Sequence, residues 1–183
     1  MEIIVILALI IINGIFAMAE IAIISAKRSK LSRLAQDGDE NARTVLDLSK
    51  NPNRFLSTIQ IGITLIGILA GAFGGATVAE NLSSTIATVP YLAPFSEALG
   101  LVIVVVLITY LSLVIGELVP KRIGLNNPES IARALAKPIQ LLSVFLSPFV
   151  DILSGSTDAL LKLFGVKMQT QAGVSEDELK MLI

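Results

Sequence analysis

Three long stretches of this chain carry almost no charge, and they limit it to very few folds. Ile3 to Ala26 is 24 residues with one ionisable group, Glu20; Phe55 to Ala79 is 25 residues with none; Ala98 to Val119 is 22 residues with only Glu117. Each exceeds the roughly 20 apolar residues that a helix needs to cross a ~30 Å hydrocarbon core. Lipid offers no partner to backbone N–H and C=O groups, so such a stretch crosses as a helix, which satisfies them internally. The sequence therefore predicts an all-α integral membrane protein with three transmembrane helices, at about 1–26, 55–79 and 98–119. Composition agrees: 16% of the residues are charged, against about 25% in a soluble domain.

Charge also sets an orientation. All 14 Lys and Arg fall within 27–54 or 121–180, and the connection "ENLSSTIATVPYLAPFSE" (80–97) has none. Positively charged loops stay on the cytoplasmic side, so the N-terminus is expected outside, with 27–54 and everything after 120 inside. The tripeptide "AMA" at 17–19 has the small-residue pattern of a signal-peptidase site. A signal peptide begins with positive charge, whereas this chain begins Met1-Glu2 and places Lys27, Arg28, Lys30 and Arg33 after the span. That order describes a retained anchor. The expected location is the cell's inner (plasma) membrane, as a multi-pass protein.

Other function classes lose their chemistry. With no Cys and no His, disulfides, thiolate metal sites and the commonest general base are all excluded. A net charge of −1 without a basic, aromatic-interleaved stripe argues against nucleic acid as a partner. No nucleophile stands with a base, so the chain does not read as an enzyme.

Between the first two spans, apolar residues at Leu31, Leu34 and Ala35, then at Ala42, Val45 and Leu46, follow helical spacing. "DGD" at 37–39 separates them, with Asp39 as N-cap of the second piece. A pair of short cytoplasmic helices over 29–50 is expected, closed by Asn51-Pro52. In the second span Gly67, Gly71 and Gly75 share a helix face, suited to packing within the bundle or to a seam between two chains. Residues 138–165 are apolar, but Pro138, Pro148 and Asp151 interrupt them, and a fourth crossing would carry Lys162, Lys167 and Lys180 outside. A juxtamembrane amphipathic segment on the inner surface is expected instead. The transmembrane domain is thus 1–167, and 168–183 is a linker. There, Ser175 and Glu178 have capping-box spacing, which points to a further cytoplasmic domain.

Function rests on the two carboxylates in the spans. An ionisable group at the centre of a bilayer helix costs about 2.5–3.5 kcal/mol on insertion scales and usually faces a cavity or a partner. Glu20 and Glu117 have no basic partner within the spans as bounded here. They either reach the headgroup region, protonated or, for Glu117, paired with Lys121 and Arg122, or they serve a cation. The second reading has company. Pro120 lacks an N–H for the carbonyl of Gly116, and loosened carbonyls in membrane helices coordinate ions. Thr109, Ser112 and Gly116 form one polar stripe on the third span; the first offers Asn13, Glu20 and Ser25; the second offers Thr58, Gln60, Gly62 and Thr64. Asn13 and Glu20 share a face, whereas Ser25 is turned about 140° from Glu20 in a regular helix. All of these donors are oxygen, which suits hard cations such as Mg²⁺ and also Na⁺.

These elements resemble the CNNM/CorC magnesium transporter family: "NGIFAMAEIAIISAKRSKLSRL", "NPNRFLSTIQIGITL", "TYLSLVIGELVPKRIGLNNPESIARALAKPI", "SPFVDILSGSTDALLKLFG" and "VSEDEL". The resemblance covers nearly the whole chain. It implies a homodimer in the lipid bilayer that exports Mg²⁺, driven by inward Na⁺. It further implies a following CBS-domain pair that binds ATP with Mg²⁺. Carried onto this sequence, it implies an ion site of Ser25, Gly62, Thr64 and Glu117, with Asn13 and Glu20 nearby. Three rivals stay open: a Mg²⁺-sensing regulator of another transporter, a Na⁺- or H⁺-coupled transporter of another solute, and a plain anchor for a cytoplasmic domain.

Overall fold

The computed structural model describes residues 2–164, and every regular element among them is helical. They fall into two compact units, one ending at Leu146 and the other beginning at Ser147. The linker expected at 168–183 lies outside the described residues.

Three helices of the first unit are long and apolar enough to cross a membrane. Helix α1 is Glu2–Ser25 and unbroken. Helix α4, Pro52–Phe73, opens on a proline in its first turn, where the missing N–H costs nothing. It continues through a π-helical turn π1 (Gly74–Val78) into α5, Ala79–Ile86. The third crossing runs from Ala93 to Asn126 as a short 3₁₀ turn (Ala93–Phe95), α6 (Ser96–Leu113), a second π-helical turn π2 (Val114–Leu118) and α7 (Val119–Asn126). It therefore continues well past the bound of 119 read from charge. Charge marks where apolar lipid ends; it does not stop a helix.

Between α1 and α4, α2 (Arg28–Gln36) and α3 (Glu40–Lys50) form the expected pair. Gly38 turns the chain at φ 97°, a conformation other residues adopt rarely. Asp39 caps α3 by accepting the N–H of Ala42 at 3.0 Å. The core gathers at this basic end. Ala19, Ala22 and Ile23 of α1 pack with Leu31, Ala35, Ala42 and Val45 of the hairpin, Phe55 and Ile59 of α4, and Ala132, Ala136 and Ile139 of α8 (Pro128–Phe145). Polar contacts tie α8 down: Lys30 to Glu129 at 3.1 Å, Arg133 to Asp39 at 2.6 Å and Lys137 to Glu40 at 3.6 Å. Inside the same region the buried Thr58 hydroxyl donates to Arg54 O at 2.9 Å and lies 3.3 Å from Ser143 Oγ.

Two expectations change. The segment expected at 138–165 is not one element. Helix α8 begins ten residues earlier and passes through Pro138, while the remainder is α9, Ser147–Leu163, the helix of the second unit. The proline removes a bond to the Ala134 carbonyl, but Ala134 is exposed, so that carbonyl has other partners within reach. The glycine face also differs from close packing within the bundle. A Cβ added at Gly67 or Gly71 would meet nothing within 4 Å. These glycines line an open groove of about 240 Å³ between α4 and α6, with Gly75, Thr109 and Ser112.

Candidate functional site

Where α1 meets π2 and α7, three glycines bring backbone against backbone. A Cβ on Gly14 would lie 2.9 Å from Pro120 Cγ and 3.1 Å from the Ile115 carbonyl oxygen; one on Gly116, 3.2 Å from Ile10 O; one on Gly124, 2.9 Å from Met18 O. Small residues are what permit such an approach in lipid. The crossing fixes which side chains of the two spans can meet.

The helix widens at this crossing. Val119 donates its N–H to Val114, five residues back, and Pro120 has no N–H to give. The Gly116 carbonyl, left without a donor from Pro120, does not stand empty: Asn13 Nδ2–H donates to it across the crossing at 3.1 Å. Asn13 Oδ1 is buried, with no hydrogen-bond partner among the described residues. An amide oxygen in that position costs about 1–3 kcal/mol unless something donates to it or coordinates it.

Two turns further along α1 stands Glu20, and one residue beyond Gly116 stands Glu117. Both meet Lys121. Its Nζ lies 2.7 Å from Glu117 Oε1, one helical turn back, and 3.8 Å from Glu20 Oε2 across the crossing. All three are partly buried. Thus Glu117 takes the basic partner that its sequence neighbourhood offered, and it is Lys121 rather than the exposed Arg122. Glu20 shares that partner. Lys121 lies two residues past the expected end of the third span, on the helix that continues to Asn126. Lys121 is the site residue the sequence reading undervalued; its i, i+4 spacing from Glu117 was the available signal.

The other expected residues lie elsewhere. Ser25 ends a regular α1, so it projects about 140° round from Glu20. Gly62 is buried under the Phe16 ring, where a Cβ would come within 2.9 Å of Cε1. Thr64 is exposed on α4. Thr109 and Ser112 line the α4–α6 groove, whereas Gly116 is buried against α1. What converges is Glu20, Glu117 and Lys121, while Asn13 and the Gly116 carbonyl pair with each other at the same helix crossing. Among the described residues no group of three or more His, Cys, Asp and Glu side chains could hold a metal ion.

The family model of the cyclin M (CNNM) transmembrane N-terminal domain matches residues 4–183. The chain belongs to that family. Among its CNNM-type relatives is UPF0053 protein sll0260 of Synechocystis, 47% identical over 183 residues, all of this chain and 41% of that one. UPF0053 protein YugS of Bacillus subtilis is 31% identical over 185 residues, all of this chain and 43% of that one. The polyamine export protein of Escherichia coli K12 is 30% identical over 182 residues, all of this chain and 40% of that one. The chain thus spans about two fifths of the length of the curated relatives it matches.

Proposed function

We propose that this domain moves a cation across the membrane through the α1–α7 crossing, with Mg²⁺ as the cargo. The observation that carries the reading is the convergence of Glu20 and Glu117, each the lone charge of its apolar run, on one position. Mg²⁺ binds through one or two carboxylates and retains several waters, and these two carboxylates suit that mode. Pro120 and π2 keep the backbone open at that level. In this proposal the cargo enters from the basic, cytoplasmic end and leaves outward, inward Na⁺ drives it, and Ser25, Gly62 and Thr64 join the site only when helices rearrange. The assembly is a homodimer, for which the open Gly67–Gly71 groove offers a face, and ATP with Mg²⁺ acts on a cytoplasmic domain of the longer protein.

One other cargo has an observation in its favour. The crossing already seats a primary ammonium, that of Lys121, between two carboxylates, and one relative is named a polyamine export protein. A polyamine would present the same group.

Flux in proteoliposomes tests the proposal. The wild-type chain is expected to move Mg²⁺, and Glu117→Gln to abolish that movement. Equal flux in both would remove the site assignment. Flux of putrescine in place of Mg²⁺ would select the second cargo, and Mg²⁺ binding without flux would make the protein a sensor.

A further inference from the structure

Lys121 stands where a bound cation would stand. Its ammonium lies 2.7 Å from Glu117 Oε1 and 3.8 Å from Glu20 Oε2, and it approaches from Glu117's own helix, one turn away. We propose that Lys121 is a tethered counter-cation: it fills the carboxylate pair when cargo is absent and must swing aside for cargo to bind. This deepens the transport reading given above and rests on it.

Three features support displacement rather than a fixed brace. First, the fit is unequal: one contact is a short hydrogen bond, and the other is a longer ion pair. One ammonium leaves the pair of carboxylates with a residual negative charge, so a divalent ion matches them better. Second, the Lys121 side chain is 34% exposed, so it has somewhere to go. A lysine carries its charge on a flexible four-carbon stem, unlike the planar fork of an arginine. Third, apart from Lys121 neither carboxylate has an ion-pair or side-chain hydrogen-bond partner among the described residues. The seat built at this crossing offers more oxygen than Lys121 uses.

The consequence is competition inside the site. A tethered ammonium lowers the apparent affinity for any cargo cation, because each must displace it. It also spares the empty site two uncompensated carboxylates at membrane depth, which would otherwise be expensive. Cargo release is helped by the same group returning. Affinity is exchanged for turnover, and the exchange depends on the charge of residue 121, not on its bulk.

Calorimetry of the purified full chain with MgCl₂ tests this, comparing wild type with Lys121→Met, Lys121→Ala, Lys121→Arg and Glu117→Gln. Removing the ammonium that cargo must displace should tighten Mg²⁺ binding about tenfold or more in Lys121→Met. Lys121→Arg keeps the charge and should stay near wild type. In Lys121→Ala, added ethylammonium should weaken Mg²⁺ binding back toward the wild-type value, an effect that a merely structural lysine would not produce. Lys121→Gln replaces any variant that is not monodisperse and helical. If Lys121→Met and Lys121→Ala bind Mg²⁺ no tighter than wild type, or ethylammonium changes nothing, the tethered role is overturned while the site stands. Binding in no variant would overturn the transport reading and this inference together.

Discussion

The clamp between the α2–α3 hairpin and α8 matches acid to base one for one: Lys30 with Glu129, Arg133 with Asp39, Lys137 with Glu40. At the α1–α7 crossing a single ammonium serves two carboxylates. In the clamp Glu129 accepts from Lys27 and Lys30, and Asp39 from Ala42 beside Arg133, although Arg133 Nε has no partner among the described residues. The Lys30 ammonium beside Glu129 holds that carboxyl below its ordinary range, helped by the Glu129 and Lys27 N–H groups. The Ala42 N–H at the cap does most to hold Asp39 low, with Arg133 assisting. Matched pairs of this kind join helices. The crossing differs in charge: two carboxylates share one ammonium, an excess that a structural contact has no use for and a cation site requires.

The largest expected effect tests the crossing that creates the unmatched set. Gly116→Leu would drive a side chain into Ile10 O and Asn13, and overpacking typically costs about 1–3 kcal/mol even where neighbours can yield. Here one neighbour is backbone, so loss of monodisperse, heat-stable protein is expected. An unchanged melting temperature would mean that the helices do not cross so closely.

Next comes the contrast between the two kinds of acid. Glu129 is buried and accepts from both Lys30 and the Lys27 backbone. Glu129→Ala should therefore cost about 1–2 kcal/mol and lower the melting temperature. Glu20→Gln should leave the fold intact, since its only ion pair among the described residues is at 3.8 Å. If Glu20→Gln destabilises as much as Glu129→Ala, the triad is a brace and the comparison collapses.

Acid should separate the sets again. Glu129 and Asp39 are both held below their ordinary values of 4.5 and 3.8 in the folded protein. Groups depressed in this way stabilise the fold above their unfolded values and lose that contribution as pH falls through the folded ones. Thermal melts should thus be flat near neutrality and fall on acidification below 4.5. Glu129→Gln and Asp39→Asn should each start lower and lose less. An identical acid slope in both variants and the wild type would show that the clamp is not its source. The smallest effect is Lys137→Ala: that pair is exposed on both sides, so about 0.5 kcal/mol or less is expected, vanishing in high salt.

Much of the fold could be read from residue types alone, for identifiable reasons. Uncharged runs reported the crossings because lipid forbids charge there. Asp39 reported the start of α3 because a cap needs a short acceptor, and Asn51-Pro52 reported its end. What failed was anything set by a contact between distant residues. Helix α8 passes through Pro138 because its freed carbonyl, Ala134, faces outward. The stripe of Thr109, Ser112 and Gly116 divides: the first two line the α4–α6 groove, while Gly116 lies in π2 against α1. That turn is held by Asn13, 103 positions away in sequence. Of the site, Asn13, Glu20, Gly116, Glu117 and Pro120 were legible as polar or special residues in apolar surroundings. Lys121 was discounted because a lysine after an apolar run reads as the membrane boundary.

The central claim is that the carboxylates at this crossing bind the cargo cation. The most direct measurement is a calorimetric Mg²⁺ titration of the purified wild-type chain and of Glu117→Gln, each with and without Na⁺. The account predicts saturable Mg²⁺ binding to wild type, shifted by Na⁺ and absent from Glu117→Gln. Equal binding by both proteins, or by neither, would contradict it and leave Glu117 and Lys121 as an ordinary ion pair at the membrane surface.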